Sequence, residues 1–307
     1  MKLTLVAGLV GAAVLAGAQL NVRNHRAYSM PFLRMGFPDL KIQRGERVWT
    51  YELTIANDYR EEPRNFSPVV VEDWEMQRVQ LGLHEHDWFI EGGVAARNGG
   101  ALDAVIDWWH RLAFSYQTLR DYSPHGQTRI TSPGQRSFGT AFGLTDVTVG
   151  ARRGPATVAI KLPLGNPRQL LGSGNIDVGA SVARSWQQGR WGIHALAGLV
   201  WQGRPKELRA AKTWIPQQQL GVSYNISSSK RLSIQWQSEP AAVKVGAAGA
   251  DSMHNSLVFG LRQTFKNKQV LDLYLVEDGD FLFYGRTPSL ANVGADFTIG
   301  ARLSVRF

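Results

Sequence analysis

The chain of 307 residues contains no cysteine, which excludes a disulfide scaffold and a thiolate metal site and suits an exported protein that must avoid chance disulfides. It also lacks long apolar runs. Beyond the N-terminus no stretch reaches the roughly 18 apolar residues that a membrane-crossing helix needs, so a multi-span helical protein is excluded. With 32 Gly and 13 Pro the composition favours many turns over long helices. The glycines at Gly100, Gly172 and Gly174 have no phosphate-loop lysine beside them, and no G-x-S-x-G surrounds any serine.

What is present begins with Lys2, an apolar run from Leu3 to Leu15, and Ala16-Gly17-Ala18 before Gln19. A basic head, a short apolar core and a small-x-small site predict a signal peptide over residues 1–18, the alternative being an uncleaved anchor for which the run is short. Removing Lys2 leaves 33 basic and 25 acidic residues, a mature net charge of +8. For an exported chain this balance points to anionic envelope polymers, or to charge spread over solvated loops and a polar lumen, and nucleic acid is not an expected partner. Residues 19–44 are rich in Pro, Arg and aromatics with no clean period. They are expected to form a periplasmic segment or a plug inside the rest of the chain.

From residue 45 onward the period is two. The final stretch places Val293, Ala295, Phe297, Ile299, Ala301, Leu303, Val305 and Phe307 on one face, and Gly294, Asp296, Thr298, Gly300, Arg302, Ser304 and Arg306 on the other. That length suits a tilted transmembrane strand, which needs about 9 to 11 residues in the apolar band. Alternation bounded by turn residues marks about twelve such strands, among them Arg47 to Ala56, Phe142 to Arg152, Arg190 to Gln202 and Thr213 to Ser227. The links alternate strictly. His84-Glu85-His86, Arg153-Gly154-Pro155, Gln188-Gly189, Ser228-Ser229-Lys230 and Asn267 are tight, and the intervening links are long. Short turns at one end and long loops at the other are what an outer-membrane barrel shows, whereas a soluble Greek-key sandwich would mix them.

The expected fold is therefore all-β: a transmembrane, antiparallel, up-and-down β-barrel over residues 45–307. One short amphipathic helix is expected in a long outer loop, where Leu102, Val105, Ile106, Trp109 and Leu112 recur at helical spacing. Trp49, Trp191, Trp201, Trp214, Tyr224 and Phe307 fall on apolar faces near strand ends, as girdle residues at the two lipid boundaries would. The first strand must pair with the last to remove both sheet edges. A charge at Leu303 is expected to impair membrane assembly and one at Ser304 to be tolerated.

Strand parity directs Glu52, Glu91, Asp146, Arg152, Lys161, Asp177, His194, Arg262, Asp272, Asp296, Arg302 and Arg306 into the lumen. Acids and bases are interleaved there, so no single-sign ladder of the kind that marks strong ion selectivity arises. Such residues either brace the barrel by salt bridges or line a narrow passive channel for small polar solutes, and the two are compatible. His254 and Ser256 share a face and admit an outer-membrane, lipid-acting enzyme as an alternative, although no third orienting group is evident. A third reading is a structural or adhesion barrel that binds partners through its outer loops. No cofactor and no metal are expected, His84 and His86 in a tight turn reading as exposed filler. The expected partners are outer-membrane lipid and, through the C-terminal strand ending in Phe307, the barrel-assembly machinery.

A resemblance adds to this reading. Val22-Arg-Asn24, Glu91-Gly-Gly93, the Leu102-Asp103 to His110-Arg111 stretch, Gly143-Leu-Thr-Asp146 with Val149-Gly-Ala151, Lys161-Leu-Pro163, and Leu171-Gly-Ser-Gly174 with Asp177 form one pattern. It resembles that of a bacterial family catalogued as a domain of unknown function, DUF3187, whose members are presumed to form outer-membrane barrels. The chain departs from it at Leu164-Gly165, where Thr-Gly is expected. The resemblance implies the barrel and its outer-membrane location and carries no activity.

Overall fold

Alternation puts the apolar half of each strand on one side of the sheet, and a sheet that is apolar outside and polar inside can satisfy all its backbone groups only by closing. In the computed structural model, which describes residues 20, 22, 30–37, 42–61, 70–98, 127–130, 136–244, 253–278 and 297–307, it closes. The strands are β1 (Val48–Glu61), β2 (Val70–His84), β3 (Trp88–Asn98), β4 (Gln127–Ile130), β5 (Arg136–Phe138), β6 (Ala141–Leu144), β7 (Val147–Arg153), β8 (Ala156–Leu162) and β9 (Asp177–Gln188). They continue with β10 (Trp191–Trp201), β11 (Arg209–Ala210), β12 (Trp214–Asn225), β13 (Lys230–Pro240), β14 (Val243–Lys244), β15 (Met253–Thr264), β16 (Val270–Asp278) and β17 (Phe297–Arg306).

Every pairing is antiparallel, and β1 meets β17 from Val48 opposite Arg306 to Asn57 opposite Phe297, which closes the ring. Because β6 and β7 both pair with β3 and act as one broken stave, the barrel has twelve staves. The tight turns between staves use left-handed backbone at Gly154 and Gly189, with φ of +59° and +57°, where a side chain would be strained. At the opposite end β4 and β5 extend the sheet beyond β2, and β11 pairs with β14 to tie two long loops together.

The break between β6 and β7 is a bulge. Leu144 is opposite Val94 and Thr148 is opposite Glu91, so Gly92 and Gly93 face three residues, Thr145, Asp146 and Val147. Thr145 N–H donates to the Gly93 carbonyl at 2.9 Å, and both Thr145 and Asp146 turn inward and are buried. Past the bulge the parity is inverted, leaving Phe142 and Leu144 on the outer face. An unbroken strand over Phe142 to Arg152 does not exist for this reason.

The outer surface carries an apolar band. Across the β10–β12 hairpin Trp191 faces Tyr224 at one end, with ring centroids 4.8 Å apart, and Trp201 faces Trp214 at the other. Ten residues of strand rise about 33 Å, or about 25 Å along the axis of a barrel whose strands tilt by about 40°, the height of a bilayer's apolar core. Between the two pairs Ile193, Leu199, Leu220 and Val222 are exposed.

Ala101 to Leu112, where a helix was expected, lies outside the described residues. Among those described, the one helical turn is a 3-10 turn at Pro167–Gln169. Ser304 is 1 % exposed and its hydroxyl has no partner among the described residues, so a charge placed there would be buried rather than solvated, contrary to expectation.

Candidate functional site

The inward faces meet around a stretch of the chain itself. After a turn at Met30 and Pro31 and a bend at Phe32 the chain continues through residues 33–37, with Pro31, Leu33, Met35 and Phe37 buried in strict alternation with the half-buried Phe32, Arg34 and Gly36. The wall grips the backbone of this segment with side chains. Lys161 Nζ donates to the Pro31 carbonyl at 2.8 Å, and Leu33 N–H donates to Asp177 Oδ2 at 3.0 Å. Gln217 spans the next step, its Nε2 donating to the Leu33 carbonyl at 3.4 Å and its Oε1 accepting from Met35 N–H at 2.8 Å. Gln219 Nε2 donates to the Met35 carbonyl at 2.9 Å.

The side chains of the segment fill apolar recesses in the same wall. Leu33 and Met35 pack with Phe89, Ala159, Val200 and Ile215, and Phe37 meets the His194 ring edge-on at 6.3 Å. The wall is thinned to receive them: a methyl group at Gly179 would lie 2.6 Å from Met35 Sδ and 3.0 Å from Leu33 Cδ2. Nearer the long loops, Met30 and Phe32 pack against a cluster that includes Leu170, Leu171 and Val243. Leu20 and Val22 pack on Val258 and Tyr274. The cavity beside Leu33 and Arg34, bounded by Gln202, Gln217, Glu239 and His254, is about 20 Å³, room for about one water molecule.

At the long-loop end the segment is tied into a charge cluster. Lys161, 3 % exposed, lies 2.8 Å from Asp146 Oδ2 and 3.2 Å from Asp177 Oδ2 and also donates to Ser173 Oγ. The carboxylates in turn hold loop backbone. Asp146 accepts from Gly165 N–H at 2.8 Å and Ser173 N–H at 3.1 Å, and Asp177 accepts from Gly203 N–H at 3.0 Å. The bulge is what brings Thr145 and Asp146 inward together.

The other parity-assigned residues form separate groups. Glu52 takes Arg302 Nη2 at 2.6 Å and the Tyr274 hydroxyl at 2.5 Å, and Arg262 grips Asp272 with two bonds of 2.6 and 2.8 Å. Glu91 accepts from Gln80 Nε2 at 3.0 Å and lies 3.5 Å from His84, whose other nitrogen faces Arg152 at 3.4 Å. Arg306 reaches Glu46 at 2.8 Å. Asp296 lies outside the described residues. Trp49, Trp191, Trp201, Trp214 and Phe307 are exposed on the outer face and Tyr224 is half-buried.

His194 has both ring nitrogens at 2.9 Å from serine hydroxyls, those of Ser185 and Ser223, so no carboxylate orients it as a catalytic base would require. His254 lines the small cavity at the long-loop end. His84 points into the lumen while His86 sits in an exposed turn against Asp87, so the two imidazoles do not converge.

Charge-based parity missed the glutamines. Gln217, Gln219, Gln235 and Gln237 are all buried, and they were legible as alternate residues in Pro216-Gln-Gln-Gln219 and Gln235-Trp-Gln237. Val200 and Ile215 were hidden by apolar neighbours on both sides, which erase the alternation.

A sequence profile described as "Protein of unknown function (DUF3187)" matches residues 26–293. The chain belongs to the DUF3187 family. The DUF3187 match covers residues 31–37 and every strand from β1 to β16, so it spans both the barrel and its content. No curated protein matches the chain. Among solved structures, the COG4313 outer membrane channel from Pseudomonas putida F1 is similar, with 15 % identity and a TM-score of 0.52 over 87 % of this chain and 97 % of that one. The NanC porin aligns at 8 % identity and TM-score 0.40, over 83 % and 97 %. The Ralstonia pickettii toluene transporter TbuX aligns at 9 % and 0.36, over 97 % of each. The first of these likenesses establishes a shared barrel fold.

Proposed function

We propose that this DUF3187 protein is an outer-membrane channel whose lumen is closed by its own N-terminal segment, and that solute passes when the segment withdraws. The observation that carries this reading is the run of residues 31–37, held inside the barrel by five hydrogen bonds to its backbone. A wall built only for rigidity would fill with its own side chains, as small barrels do. Here glycines at 179 and 198 leave room for a separate strand. The apolar outer band supports membrane residence, since an exposed apolar surface of this extent would not remain monomeric in water. The barrel of similar fold from P. putida is described as an outer membrane channel.

In this reading residues 1–18 direct export and are removed after Ala18, the segment from Gln19 to Arg44 is the plug, and the strand ending in Phe307 is what the barrel-assembly machinery engages. The long loops face outward, the tight turns face the periplasm, and lipid covers the band between the Trp191–Tyr224 and Trp201–Trp214 pairs. The lumenal ion pairs brace the wall around the plug rather than select ions.

The test is electrical. Purified full-length protein in planar bilayers should open only briefly and rarely. Leu33→Asp/Met35→Asp, which puts two charges into the recess formed by Phe89, Ala159, Val200 and Ile215, should give sustained stepwise conductance. Equal conductance from the two proteins, both verified as folded by their heat-modifiable gel shift, would sink the reading.

A further inference from the structure

The grip on residues 31–35 is a grip on peptide backbone, and this suggests what else the groove can hold. All five hydrogen bonds use main-chain atoms of alternate residues, Pro31, Leu33 and Met35, and none needs a particular side chain at those positions. Gln217 offers a donor and an acceptor at the spacing of one strand residue, as a sheet edge does for an added strand. Side-chain choice enters through the recesses. Positions 33, 35 and 37 take apolar groups, and position 34 directs its guanidinium to Glu239 at 3.8 Å.

The groove also holds hydrogen-bonding capacity that no described residue uses. Gln235 Oε1 and Gln237 Nε2, on side chains 1 % exposed, have no partner among the described residues, and they stand on β13 directly beside the β12 glutamines, Gln237 opposite Gln219. A buried amide atom left unpaired is costly, so an occupant that reaches these two is favoured.

We propose that the groove, once residues 30–37 have left it, is a binding site for extended peptides with apolar side chains at alternate positions and a cation between them. This deepens the channel reading and rests on it, since the site opens only when the plug withdraws, and it names short basic-apolar peptides as the solute class. An acyl chain fits less well. It would leave Lys161, Asp177, Gln217 and Gln219 without the backbone partners they hold now.

The test uses the full-length Leu33→Asp/Met35→Asp protein in detergent and a capped synthetic peptide with the sequence of residues 30–37, followed by calorimetry. The expected result is saturable binding at one site. The same peptide methylated on the Leu33 and Met35 amide nitrogens should bind at least about tenfold more weakly, because two hydrogen bonds are lost. The wild-type protein should also bind at least about tenfold more weakly, because its tethered segment competes at about millimolar effective concentration. If the double variant fails to fold by gel shift, Leu33→Ser/Met35→Ser serves in its place.

Equal binding of the plain and methylated peptides, or binding of decanoate in preference to peptide, overturns the inference. So does absence of peptide binding to a variant whose raised conductance shows that the plug has gone, and in that case the channel reading stands. Saturable, methylation-sensitive binding with no rise in conductance would retain the groove and sink the channel.

Discussion

Pinning the lumenal segment to the wall is the most direct perturbation the structure offers. The Cβ of Met35 lies 3.3 Å from the position a Cβ would take at Gly198, a few tenths of an ångström inside the usual disulfide span of about 3.5–4.5 Å. With no native cysteine, Met35→Cys/Gly198→Cys creates a single possible pair. Its effect depends on how firmly the segment is held. Burying Leu33, Met35 and Phe37 contributes about 1.5–3 kcal/mol each and the five hydrogen bonds about 1 kcal/mol each, roughly 10–14 in all. Ordering eight residues costs roughly 8–16 kcal/mol, so the two nearly cancel. A balance within a few kcal/mol leaves the released state populated at about 0.1–10 %. The disulfide removes that state. In a planar bilayer the oxidised variant should show at least about tenfold fewer openings than wild type, and reductant added to the same membrane should restore them. An oxidised variant, its disulfide verified by mass, that conducts like the reduced one would refute both the occlusion and the energetic argument.

Three further outcomes follow from other parts of the barrel. Lys161→Met leaves Asp146 and Asp177 buried without their cation and should destabilise the fold by about 3–5 kcal/mol, read as a lower urea midpoint for loss of the heat-modifiable band. Arg302→Met should cost about as much by stranding Glu52, while Glu52→Leu/Arg302→Met should recover most of the loss; a double variant as unstable as the single one would mean that the pair is not the source. On the outer face, Leu220→Arg should cost about 2–4 kcal/mol in lipid vesicles, and a neutral effect there would contradict lipid contact.

The closed twelve-stave barrel was legible because two independent periods agreed, alternation within strands and the short-long rhythm between them. Neither depends on tertiary context. The pairing of Trp49 to Ile55 with the closing strand followed from the need to remove edges and appears in register. What alternation could not show was the bulge at Thr145 and Asp146, since one extra residue inverts parity without changing composition. The lumenal contact surface was also obscured. Charge marked Lys161, Asp146 and Asp177, but the glutamines that hold Leu33 and Met35 are neutral, and the recess residues Val200 and Ile215 sit next to outward tryptophans. Residues 31–37 show a clean buried alternation in the structure that Pro31, Arg34 and Gly36 disguise in the sequence, where only a plug or a periplasmic segment could be expected.

That Leu20 and Val22 already rest against Val258 and Tyr274 has a practical corollary for anyone handling this protein. Leu20 and Val22 are buried inside the barrel, and Phe307 bonds back through its N–H to the Arg47 carbonyl at the rim. On the proposed reading, a folded tag joined directly ahead of Leu20 would compete with the packing of that side chain, draw the segment out and turn an affinity label into an unintended opener. Recordings from protein tagged next to Leu20 should then be read as those of a different molecule, with a larger share of released segment than the untagged chain.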